Sequence, residues 1–398
     1  MSYCRNSRRL SYSKLPILRY PITTRSCATW KASEPLRILF CGSDNFSIAS
    51  LRALHKEHKA KPDFIKSIDV VCKPGKRVGR GLKEVREVPI AETARELSLP
   101  LHQINTFTGW QPPNPGGNLI NLIIAVSFGL FVPPRILNGA KYGGLNVHPS
   151  LLPDFRGSAP LHHTLLAGCT RTGVSLQTLH DKHFDHGTIL AQTPLPGFQI
   201  PNHDEITVPE LLSLVAPKGA DMLVQGIIEG IYAPPLEELQ QQSGNTSTPL
   251  LRPAPKIVPE DRHIDWKSWT SETILRRQRI LGSLWNSLFF TEECSQQAYH
   301  KRIIWYSGFE KVTDFSKPFP PGQVRISANA QTSRQEEADP HIYLSTVDGQ
   351  VLRAGMVKIE NKRPQRAIGA VRNLPIREPV FNHVANEARY LDLKGWLK

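Results

Sequence analysis

Residues 179–187 (LHDKHFDHG) hold three histidines and two aspartates, with His180, His183 and His186 at every third position. At that density the side chains could ligate a metal, exchange protons with a substrate, or form a polar loop without chemistry. The flanks bear on the choice. Residues 172–180 (TGVSLQTLH) alternate with period two and residues 187–192 (GTILAQ) read as a short strand, so the segment turns between two strands. A period of three across a strand end and a tight turn does not bring three rings to one face. The i, i+4 histidine pair of a helical zinc site is also missing.

Two other segments could carry chemistry. In residues 146–163 (NVHPSLLPDFRGSAPLHH), Asn146 and His148 stand two apart at a predicted strand end, so their side chains share a face. An amide donor beside an imidazole suits the oxyanion of an acyl transfer, though the same pair could simply cap a buried strand. Residues 73–86 (KPGKRVGRGLKEVR) carry six basic residues and one acid, and glycines at 75, 79 and 81 argue for a flexible loop without regular structure. Such a loop could track phosphates or be a solvated surface. It lacks the G-x-x-x-x-G-K-[ST] pattern of a phosphate-cradling loop. The turn in CGSDNF has a single glycine and does not match the dinucleotide fingerprint.

The elements that must position these residues alternate. Residues 36–56 read as an apolar strand, a turn and a helix, and residues 64–75 as a second strand. Residues 88–100 read as a helix ended by proline, residues 119–128 as a fully buried strand, and residues 144–150 as a strand ending at Asn146 and His148. Strands alternating with helices predict an α/β class with a mostly parallel sheet. Residues 233–256, with five prolines and a Ser/Thr/Gly/Asn cluster, read as a linker. Beyond it, residues 265–280 read as a helix. The remainder consists of short strand-like pieces, including a hairpin signal at Asp348-Gly349, and predicts a small β-rich domain.

Charge is uneven. The chain has 49 Lys and Arg against 35 Asp and Glu, and residues 1–33 hold seven of the basic residues and no acid. An acid-free leader rich in Arg and Ser is what a mitochondrial import signal looks like, and Pro16 and Pro21 interrupt the apolar stretch that a secretory signal needs. The remaining excess favours a polyanionic partner. The longest apolar run, residues 119–132, is too short and too interrupted to span a bilayer, so no stable membrane association is expected. Six scattered cysteines suit a reducing compartment and offer no zinc framework. The expected organisation is a leader at 1–33, a catalytic domain at 34–232, a linker at 233–256 and a β-rich domain at 257–398, in a monomeric protein.

Taken together, LNVHPSLLPDFRGSAP and TGVSLQTLHDKHFDHGTILAQ resemble the formyltransferases that use 10-formyltetrahydrofolate. In that family Asn-x-His-x-Ser-Leu-Leu-Pro is followed by an Asp-x-Gly loop, and here 37 residues separate His148 from Asp185, which precedes Gly187 by two. The resemblance implies Asn146, His148 and Asp185 as the catalytic set, with Ser150, Leu151, Leu152 and Pro153 as the wall against which the folate sits. It implies a Rossmann-like, mostly parallel sheet followed by an OB-like β-barrel. No metal is needed, because the formyl group is already activated.

The segments LRILFCGSDNFS, KPGKRVGRG and HIDW carry the likeness furthest toward the mitochondrial, tRNA-acting members. That implies initiator methionyl-tRNA as acceptor, gripped by Lys76, Arg77, Arg80 and Lys83, with Arg80 aligned to the family's key arginine. Further basic candidates in the β-rich domain are Arg276, Arg277, Arg279, Lys358, Lys362, Arg363 and Arg366. The chain departs from the family at Asp154, where basic or neutral residues are usual, and His186 and Thr188 carry no inherited role. The alternatives are a small-amine acceptor (a purine ribotide or sugar nucleotide) and a catalytically dead RNA-binding relative.

Overall fold

The computed structural model describes residues 33–239, 251–291, 298–313, 321, 323–327, 341–372 and 381–382. All of the expected leader except Ser33 lies outside the described residues.

The first strand, β1 (Leu36–Gly42), explains the sheet. Ile38 and Phe40 point into one apolar layer while Leu39 and Cys41 point into the other, and all four are fully buried. A strand covered on both faces reads as a continuous apolar run, the mark of a parallel sheet between helices. Asp44 then caps α1 (Asn45–Ala60) by accepting from the Ser47 N–H.

The chain continues through β2 (Ile65–Cys72), a hairpin of β3 (Lys76–Val78) and β4 (Glu84–Arg86), then α2 (Pro89–Glu96) and β5 (Leu101–Gln103). It returns through β6 (Leu122–Val126), α3 (Pro134–Leu137), β7 (Gly144–His148) and α4 (Pro160–Leu166). After β8 (Arg171–Thr172) come β9 (Ser175–Thr178), β10 (Ile189–Gln192), β11 (Phe198–Gln199) and α5 (Val208–Ile228). The main sheet has seven strands in the order β10-β9-β7-β6-β1-β2-β5. Pairing is parallel from β7 through β5, and β9 and β10 are antiparallel.

The order places the site. From β1 the chain winds outward to β2 and β5, then crosses back to β6 and β7 on the other side. The crevice beyond the carboxyl ends of β1 and β6 is the topological switch point, where open α/β sheets bind ligands.

Two expectations are corrected. Residues 73–86 form a short antiparallel hairpin, in the register Lys76–Arg86, Arg77–Val85 and Val78–Glu84. Its glycines build the turn: Gly79 and Gly81 take φ of +80° and +76°, which side chains with a Cβ resist. The helix expected from residue 265 starts at Ser271 (α6, Ser271–Leu281), because the Thr270 side chain caps the Thr273 N–H and Asp265 turns the chain before it.

The longest described helix, α5, had no counterpart in the sequence reading. By length and composition α5 could cross a membrane, but Leu211, Val215, Leu223 and Ile227 are buried at 0–1% exposure in the main core. Each such residue contributes about 1.5–3 kcal/mol by leaving water.

After α6 the described strands form a four-stranded and a five-stranded antiparallel sheet. They enclose a second apolar core of Trp266, Ile274, Leu284, Ile303, Trp305 and Leu352, among others. The Asp348-Gly349 turn joins His341–Ser345 to Val351–Ala354, as its signal predicted.

Candidate active site

A cavity of about 720 Å³ opens at the switch point. β1 supplies Asp44 and Phe46 just beyond its end, and β6 continues into Ser127–Val132. Asn146 and His148, from the end of β7, and Asp185, from the loop between β9 and β10, complete the polar end. The three residues singled out for catalysis thus come together on one wall.

Their contacts are specific. His148 is 4% exposed; its Nδ1 lies 3.4 Å from Asp185 Oδ1 and its Nε2 lies 2.9 Å from the Phe155 carbonyl. A backbone carbonyl only accepts, so Nε2 carries a proton and Nδ1 faces the carboxylate. Asn146 Nδ2 donates to the Ala125 carbonyl at 2.8 Å, which leaves one amide N–H for an oxyanion. Asp185 sits at φ +57°, a left-handed conformation that Asp tolerates better than most residues. Its Oδ2 accepts from the Gly157 N–H at 3.0 Å, and its carbonyl accepts from Arg156 Nε at 2.7 Å.

Gly187 explains the Asp-x-Gly spacing. A Cβ there would lie 1.7 Å from the Thr178 carbonyl, so only glycine lets the loop close against β9. The Thr178 N–H then donates to the Thr188 carbonyl, and the Thr188 N–H donates to Thr178 Oγ1.

Sequence reasoning missed Gln177. Its side chain is 1% exposed, and its Nε2 donates to Asn146 Oδ1 at 3.0 Å and to Asp185 Oδ1 at 3.3 Å. Two oxygens facing it fix which end of the amide is nitrogen. Its Oε1 is buried without a partner. The only sequence signal was position: Gln177 shares the face of β9 that pairs with Asn146.

Ser150–Pro153, expected as the folate wall, lie beside the cavity's catalytic end in sequence. None of the four residues lines the cavity. Ser150 and Leu152 are buried, with Ser150 Oγ bonded to the Asp154 carbonyl and the Leu152 N–H to Ser175 Oγ. These residues turn the chain beneath the site, and the apolar lining comes instead from Phe128, Leu130, Phe131 and Val132. Phe184 meets Phe131 edge to face across the opening, with centroids 5.3 Å apart.

The histidines of the opening segment hold their own loop. His180 Nδ1 accepts from the Lys182 and His183 N–H groups, and His186 Nδ1 lies 2.6 Å from the Phe184 carbonyl. Among the described residues, no group of three or more His, Cys, Asp or Glu is arranged to hold a metal ion. Burial pushes the Asp44 carboxyl above the usual range, against the lowering effect of its hydrogen bonds.

The basic residues Lys76, Arg77, Arg80 and Lys83 are all exposed on the hairpin. The hairpin is tied to the cavity rim, since Lys73 Nζ donates to the Gly129 carbonyl at 2.9 Å. The arginines of α6 are engaged internally. Arg276 pairs with Glu272, Arg277 donates to the Asp261 carbonyl while stacking on Trp269, and Arg279 donates to the Asp204 carbonyl.

A formyl transferase family model matches residues 36–207. The mitochondrial methionyl-tRNA formyltransferase of Saccharomyces cerevisiae is 32% identical over 310 residues, covering 69% of this chain and 75% of the relative. The chain belongs to the formyl transferase family. This formyltransferase is also 33% identical over 241 residues to the methionyl-tRNA formyltransferase of Syntrophomonas wolfei, covering 58% of the chain and 68% of the relative. Against the mitochondrial methionyl-tRNA formyltransferase of Homo sapiens it is 33% identical over 255 residues, covering 64% of the chain and 59% of the relative.

Proposed function

We propose that this enzyme transfers the formyl group of 10-formyltetrahydrofolate to the α-amino group of initiator methionyl-tRNA in the mitochondrial matrix. The convergence of Asn146, His148 and Asp185 at the polar end of the switch-point cavity carries the reading. The cavity suits the donor, with Phe128, Leu130, Phe131 and Val132 offering an apolar surface for a flat heteroaromatic ring. Bound there, the donor supplies a formyl group whose oxygen gains negative charge as the amine attacks.

Asn146 offers its remaining amide N–H to that charge, a contribution of about 3–4 kcal/mol for a well-placed donor. His148 and Asp185 hold a proton between Nδ1 and Oδ1. The acceptor begins as an ammonium, with a pKa of about 8 in free α-amines, and gives up two protons overall. One is lost to solvent as the attacking amine forms; the His148–Asp185 pair gives its proton to the leaving nitrogen and is restored by the second proton that the attacking nitrogen releases. The new C–N bond replaces the donor's C–N bond, and nothing is oxidised or reduced.

The acceptor side rests on the hairpin. Lys76, Arg77, Arg80 and Lys83 would follow the tRNA backbone, with the Lys73–Gly129 contact anchoring them beside the reacting end. Residues 34–232 act as the catalytic domain and 233–256 as the connection. Within residues 257–398, the two antiparallel sheets described after α6 would belong to an OB-like barrel that extends the tRNA surface. The test offers labelled formyl-folate with charged initiator tRNA, a purine ribotide and a sugar nucleotide. Label is expected on the tRNA; label on a small amine with none on tRNA would overturn the reading.

A further inference from the structure

Residues 251–256 were read as part of a linker, and Asp154 as a departure from the family. The structure brings the two together. The Arg252 guanidinium grips the Asp154 carboxylate, with Nε 3.3 and 3.2 Å from its two oxygens, and lies 4.3 Å over the Phe155 ring. The backbones pair as well: the Phe155 N–H donates to the Arg252 carbonyl, the Ala254 N–H to the Arg156 carbonyl, and the Ala159 N–H to the Ala254 carbonyl.

The strapped residues are the ones that hold the catalytic pair. The Phe155 carbonyl receives His148 Nε2, Arg156 Nε reaches the Asp185 carbonyl, and the Gly157 N–H holds Asp185 Oδ2. Phe155 takes φ +57°, a left-handed conformation that a bulky side chain adopts only when its surroundings enforce it. The Arg252 contacts surround that residue on its amide, its ring and its preceding neighbour. Gly157 packs so closely that a Cβ would lie 2.2 Å from the Ala254 carbonyl.

We infer that residues 251–256 are a positioning strap, anchored by the Arg252–Asp154 pair, that holds the supports of His148 and Asp185 in their working geometry. Arg252 and Asp154 are positioning residues; neither lines the cavity. The strap deepens the proposed formyl transfer and rests on it, so its test includes a readout that needs no turnover.

The full chain is compared with Arg252→Ala, with the milder Asp154→Asn, and with the double exchange Asp154→Arg, Arg252→Asp. Asp154→Asn keeps an oxygen for the Phe155 and Arg252 N–H groups, both of which Asp154 Oδ1 accepts in the structure. Backbone amide exchange at Phe155, Gly157 and Ala159 is expected to quicken about tenfold in both single variants, since local opening is no longer opposed by the clamp. In the formyl-transfer assay, kcat is expected to fall about ten- to a hundredfold with KM for both substrates within about twofold of wild type, the signature of misplacement. The double exchange should recover most of both effects. Wild-type exchange at Gly157 in the single variants would overturn the strap, whatever the acceptor proves to be. So would wild-type kcat in those variants, or a folded double exchange no better than either of them.

Discussion

His148 Nδ1 stands 3.4 Å from Asp185 Oδ1, while the opposite ring nitrogen is committed to the Phe155 carbonyl at 2.9 Å. With Nε2 protonated, the facing Nδ1 and carboxylate attract only when they share a proton. In the proposed mechanism this pair is the group that gives and takes the transferred proton. His148→Gln keeps an amide of similar reach but no group that accepts and returns a proton, so kcat is expected to fall by about 10²–10⁴. Single-turnover formyl transfer at saturating donor and tRNA measures it.

Gln177 bridges Asn146 and Asp185 through one nitrogen. Keeping a buried carbonyl oxygen without a partner costs about 1–3 kcal/mol, a cost that an apolar residue at this position would not carry. Gln177→Leu is expected to lower kcat about tenfold or more with little change in KM, because a misplaced Asn146 amide loses part of its value to the oxyanion. Unchanged kcat would make Gln177 a packing residue.

The hairpin prediction concerns salt. Arg80→Ala should weaken the use of tRNA and lower the slope of log affinity against log salt by roughly one unit per phosphate contact removed. An unchanged slope would return the hairpin to ordinary surface.

Asp44 gives a stability test with a definite sign. Burial raises its carboxyl, so in the folded state the neutral form is favoured and its contribution is fully present only below the unfolded value. That contribution is lost as pH rises through the raised, folded value. Asp44→Asn keeps the cap of α1, since Asn and Asp cap about equally well, and removes the buried charge. The variant is expected to melt higher than wild type at pH 7, with the gap closing toward pH 4. Thermal unfolding at the two pH values checks it, and a gap that widens on acidification would contradict it.

The alternating strands and helices were legible because β1, β2 and β6 are buried on both faces and read as apolar runs between turn signals. Strand periodicity put Asn146 and His148 on one face, but the resemblance to the formyltransferases was what singled them out and added Asp185 before Gly187. α5 was not legible: Pro217, Gly219 and Gly226 fall within it and weaken the helical signal. The residues that hold the site were also hidden. Gln177, Phe155 and Gly157 act through tertiary contacts, and nothing local in residues 251–256 says that this segment lies along the catalytic loop. The same limit applies to Ser150–Pro153, which adjoin His148 in sequence but do not line the cavity.

The most direct test of the central claim is Asp185→Asn. The substitution keeps size and one carbonyl oxygen for the Gly157 N–H, and replaces the carboxylate oxygen that faces His148 and Gln177. The account expects kcat for formylation of methionyl-tRNA to fall at least about a hundredfold, with tRNA affinity within about twofold of wild type. Near-normal turnover in Asp185→Asn would contradict it.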